Sequence, residues 1–98
     1  MARTISRKPL PASPEIKTLG DLGAFIRSQR TRQGLRIDDA AALCNVSVEL
    51  LSNLENGRRA VGLDKALGVA QMFGLRLLAV TAEQLPYALQ GLQRSEEK

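Results

Sequence analysis

The chain has 98 residues, no histidine, a single cysteine (Cys44) and few aromatics: Phe25, Phe73 and Tyr87. That length allows one small domain with tails and a thin core, since so short a chain buries only about 60–65% of the surface its unfolded form exposes. The missing histidine removes the commonest general base and metal ligand, and the lone cysteine excludes an internal disulfide and a four-ligand zinc. What remains is a net charge of +4, which favours an anionic macromolecular partner over catalysis.

No run of apolar residues is long enough to span a membrane. Residues 9–18 lack the apolar stretch of a secretory signal, and an unpaired thiol suits a reducing cytosol. The charge is uneven. Residues 1–17 carry Arg3, Arg7, Lys8 and Lys17 against Glu15, a net +3. Residues 18–81 carry eight basic and six acidic groups, a net +2, and residues 82–98 two and three, a net −1.

Pro9, Pro11 and Pro14 block a helix at the start, so residues 1–17 read as a flexible basic arm. It is either a solvated leader or an arm that follows DNA phosphates or a partner surface. Thr18 is a candidate N-cap with Asp21 in the first turn, and Leu22, Phe25 and Ile26 recur at helical spacing to Gly34. This predicts a first helix over about 19–33. Asp38 and Asp39 open a short helix of small residues over about 37–44, ended by Asn45, which tolerates a left-handed turn. Cys44 is placed on its core side as a small hydrophobe, and Val46 tucks into the core beneath the turn.

Ser47 caps a third helix over about 47–56, with Leu51 and Leu54 inward and Asn56-Gly57 at its end. A fourth helix runs from Leu63 to Phe73, with Leu63, Ala66, Leu67, Ala70 and Phe73 as its apolar stripe. Residues 75–81 form a short apolar run bounded by glycine, predicted as a strand although its leucines also suit a helix. A lone strand leaves an open edge, which a second copy would cover across a two-fold axis. Residues 82–93 are expected to form a last helix, with Pro86 in its first turn.

Ala41 to Glu55 is the informative stretch: a helix of small residues, a short turn, and a capped helix with a polar outer face is a helix-turn-helix pattern. With Ile26 to Leu35, Val46-Ser47, Leu51 to Gly57 and Gly74-Leu75, residues 18–81 resemble the Cro/repressor-like, XRE-type helix-turn-helix family. Within it they are most similar to HipB-type antitoxins, including the short Y4mF-like group. The resemblance implies a mostly all-α fold: a lambda-repressor-like bundle of four to five helices plus one short C-terminal β-strand pairing across a dimer through Leu75, Leu77, Leu78 and Val80.

It also implies that Ser47, Val48, Glu49, Ser52 and Asn53 face the major groove. Arg58, Arg59 and Arg36 would meet backbone phosphate, with Arg27 and Arg32 adding to the field. Arg30 would pair with Glu55 to fix the recognition helix against the first. The chain departs from the family at Ile37, where many members carry a phosphate-contacting glutamine.

The implied function is that of a homodimeric repressor of a palindromic operator, autoregulating its own operon. It would also be the antitoxin of a HipA-like Ser/Thr kinase toxin, in the bacterial cytoplasm on the nucleoid. A stand-alone XRE-type regulator without a toxin is the alternative. So is a protein-interaction module with weak DNA binding, which Ile37 and Glu49 favour. No nucleophile–base pair, metal cluster or phosphate-cradling loop speaks for an enzyme, and no cofactor, small-molecule substrate or membrane contact is expected.

Overall fold

In the computed structural model, which describes residues 5–96 and the side chains of 5–93, five helices follow one another. They are α1 (Leu19–Arg32), α2 (Ile37–Cys44), α3 (Val48–Asn56), α4 (Leu63–Met72) and α5 (Leu85–Glu96). The first four residues of the proposed arm, Arg3 included, and the last two of the tail lie outside the described residues.

The helix boundaries follow from local chemistry. Thr18 Oγ1 accepts from the Asp21 amide at 3.1 Å, while the Asp21 carboxylate accepts from the Thr18 and Lys17 amides at 3.0 and 2.8 Å. This capping box satisfies amides that the first turn of α1 leaves free. The Lys17 amide holds the Asp21 carboxyl below its ordinary value of 3.8; desolvation opposes it, and the Thr18 bonds add to the lowering. A lowered acid stabilises the fold above its unfolded-state value and loses that contribution as pH falls through the folded one. Asp21→Asn is therefore expected to be less stable than the parent at neutral pH, with the gap closing as denaturation midpoints are followed below pH 3.8. A gap independent of pH would contradict this role.

Asn45, at φ 56°, turns the chain out of α2. Ser47 Oγ accepts from the Leu50 amide at 3.0 Å and starts α3. Gly57, at φ 62°, ends it. There a side chain would be strained twice, because a Cβ would also sit 2.7 Å from the Gly20 Cα.

Leu22 and Ile26 of α1, Ala40 and Ala41 of α2, and Leu51 and Leu54 of α3 meet Ala66, Val69, Ala70 and Phe73 from the α4 region in one core. α1 packs on α3, and α2 lies against α3 and α4. The α4 stripe differs from the expected one. Leu63 is 68% exposed at the amino end, and Val69 takes an inward place instead. Residues 66, 69, 70 and 73 share a face directed at the body, and the first residue of the helix overshoots it. Cys44 and Val46 are half-buried at the edge of the core.

The strand expected at 75–81 is absent, and no strand occurs among the described residues. A strand is defined by a ladder, and the described residues provide no second edge. Leu75 packs against the core instead, while Leu77, Leu78 and Val80 remain 40%, 84% and 43% exposed. After that run Thr81 and Gln84 form a reciprocal pair. Gln84 Oε1 accepts from the Thr81 amide at 3.1 Å, and Thr81 Oγ1 accepts from the Gln84 amide at 3.2 Å. The turn they close leads into α5, which starts at Leu85 rather than residue 82.

Candidate nucleic-acid interface

Three residues, Asn45, Val46 and Ser47, join α2 to α3. The Val46 amide donates to the Ala41 carbonyl at 3.0 Å, closing the turn. Leu51 and Leu54 are fully buried, which fixes the rotation of α3. On the opposite side, helical spacing brings Val48, Glu49, Ser52, Asn53 and Asn56 to one outer face, with Ser47 at its start. Ser47, Val48 and Glu49 are exposed, and Ser52 and Asn53 are half-buried. The sequence marks Asn56 only as a helix end. It stands four residues after Ser52, and its amide nitrogen donates to the Ser52 carbonyl at 2.8 Å.

The face is held by one buried ion pair. Arg30 Nε donates to Glu55 Oε2 at 2.7 Å and a terminal nitrogen donates to Oε1 at 2.9 Å, a two-pronged contact between side chains 25 positions apart. The remaining prong of Arg30 donates to the Leu35 carbonyl at 2.8 Å, in the turn between α1 and α2. One guanidinium thus ties α1, the following turn and the end of α3 together. Such a fork fits a carboxylate better than a lysine would. Gly23 lets α1 come this close: a Cβ there would collide with the Leu54 carbonyl oxygen and lie 2.8 Å from that of Glu55.

Beside the pair lies an open hollow, lined by Arg27, Arg36 and Arg58 and bordered by Ile37, Asp38, Asn56 and Ile5. Arg36 lies 3.7 Å from Asp38, both about half exposed, a contact that water weakens. Arg59 is exposed in the loop after α3 and does not line the hollow; Arg32 is also exposed, at the end of α1. A concave, arginine-lined surface next to a polar helix face suits a phosphate oxygen more than a neutral small molecule.

Residues 21–84 match the family model described as "Helix-turn-helix domain". The chain belongs to this helix-turn-helix family, of the XRE-like type. It is similar to the "Uncharacterized HTH-type transcriptional regulator y4mF" of Sinorhizobium fredii, with 37% identity over 59 residues, 60% of this chain and 78% of the relative. The family match contains the whole of α2, the turn and α3, and runs on past α4 to Gln84. Among the described residues of this helix-turn-helix chain, no helix is long and apolar enough to cross a membrane. Burial pushes the Cys44 thiol above its ordinary value, which makes it a sluggish nucleophile.

Proposed function

We propose that this chain is a DNA-binding transcriptional regulator, and more finely a homodimeric repressor that places α3 in the major groove of a palindromic duplex. The observation that carries this reading is the outer face of α3, polar and continuous with the arginine hollow while its inner face is locked in the core. Ser52 and Asn53 reach base edges, Val48 meets a thymine methyl, and Glu49 accepts from a cytosine amine. Ser47 steadies the amino end of α3. Arg36, Arg58 and Arg59 hold phosphates and set the register.

Two copies pair through the extended run, where Leu77, Leu78 and Val80 are exposed and the backbone lacks a ladder partner in the single chain. Leu75 anchors that run to each core. Palindromic operators mirror such two-fold symmetry.

Binding of the full chain to the duplex upstream of its own gene, followed over a range of salt concentrations, tests this. Arg58→Gln/Arg59→Gln is expected to lower the salt slope of log affinity by about 4 for the dimer, since each arginine of each copy neutralises one phosphate. Asn53→Ala is expected to cost about 1–3 kcal/mol on the palindrome and little on a scrambled duplex. Binding that ignores salt and sequence would overturn the reading.

The resemblance to HipB-type antitoxins supports a finer role still, in which the dimer also neutralises a HipA-like kinase toxin. Co-purification with the product of an adjacent kinase-like gene tests it. A chain that represses without such a neighbour is a stand-alone regulator.

A further inference from the structure

Ser28 and Thr31 are polar yet only 1% and 4% exposed on α1. The chain ahead of the helix satisfies them. Ser28 Oγ donates to the Lys8 carbonyl at 2.9 Å, and Thr31 Oγ1 accepts from the Lys8 amide at 3.0 Å. Both main-chain groups of one residue are thus held by side chains more than 19 positions away, as a neighbouring strand would hold them. Pro9 follows, and a residue before proline is biased toward extended backbone. The Arg7 guanidinium donates to the Arg32 carbonyl at 2.6 Å, at the end of α1 where carbonyls lack helical partners and a cation is favoured. Ile5, half-buried, lines the arginine hollow together with Ile37.

We infer that residues 5–8 form a strap belonging to the DNA-binding surface, with Ser28 and Thr31 as its positioning residues and Arg7 and Lys8 as added cations for the duplex backbone. This rests on the DNA-binding reading above. Arg7 and Lys8 are two and three residues from Ile5, so extended chain keeps them within about 11 Å of the hollow. That is longer than the screening length of about 8 Å at physiological salt, so Arg7 and Lys8 act on backbone phosphates passing beside the strap rather than on one seated in the hollow.

The test uses the full chain and the duplex upstream of its own gene, with affinity measured across salt concentrations. Arg7→Gln/Lys8→Gln keeps the Lys8 main-chain bonds and gives up only the exposed Arg7 bond to the Arg32 carbonyl along with the two charges. It is expected to lower the salt slope by about 4 for the dimer and the affinity at physiological salt about fivefold or more. Ser28→Ala/Thr31→Val keeps both charges but releases their seat. It is expected to lose part of the same affinity and to speed hydrogen exchange at the Lys8 amide. If both variants bind like the parent while Arg58→Gln/Arg59→Gln weakens, the strap only covers α1 and the proposal falls. If the parent shows no salt-dependent binding, the DNA-binding reading falls and the strap proposal with it.

Discussion

Glu55→Ala is expected to cost about 3–5 kcal/mol of stability. The carboxylate is almost fully buried, and its removal leaves the Arg30 charge in a low-dielectric site with two of its donors unpaired. A domain of this size holds about 5–15 kcal/mol in total, so the midpoint of thermal unfolding should fall by more than about 12 °C. Desolvation is the dominant effect, not Coulomb attraction. For that reason Arg30→Met/Glu55→Leu, which removes both charges and keeps the volume, should recover most of the loss. The deficit of the single variant should persist in high salt, because a buried pair is poorly screened. Arg36→Gln, which opens only the exposed contact to Asp38, should cost less than about 1 kcal/mol. An unchanged melting temperature for Glu55→Ala would contradict the structural role of the pair.

Gly23→Ala carries the second large effect, and its sign opposes helix propensity. In an open helix, alanine for glycine gains about 1 kcal/mol. At Gly23 the added methyl meets main-chain oxygens of Leu54 and Glu55, which cannot rotate away. Overpacking of this kind typically costs about 1–3 kcal/mol, and the rigid end of α3 puts this site at the upper limit. A net loss of about 2 kcal/mol is expected in chemical denaturation, together with weaker DNA binding, because α3 is pushed off α1. Gly68→Ala is the internal control. Nothing lies within 4 Å of a Cβ there, so the same exchange in α4 should be neutral or stabilising. Equal effects at the two sites would refute the close approach of α1 and α3.

The parts of the fold that local chemistry dictates were legible in the sequence. Thr18, Asn45, Ser47 and Gly57 mark helix ends by their own side chains or backbone freedom, and Leu51 and Leu54 orient α3 by spacing alone. The Arg30–Glu55 contact was reachable only through the family resemblance, since no periodicity relates residues 25 positions apart. Ser28, Thr31 and Gly23 carried no signal. A serine or threonine on a helix looks solvated until its partner is known, and here each partner is a main-chain atom that no residue pattern marks. The run after Gly74 illustrates a different limit. Its residues favour an extended backbone, but a ladder needs a second edge that one chain does not contain. The Thr81–Gln84 pair has the spacing of a capping signature, which is concealed when Thr81 is assigned to the end of that strand.

The most direct test of α3 as the reading element is an amide-shift map of the isotope-labelled full chain, titrated with the duplex upstream of its own gene. The largest shifts are expected across residues 47–59, with further changes at Arg27 and Arg36 around the hollow, all fading as salt rises. A response confined to residues 75–96, or one insensitive to salt, would contradict this role of α3.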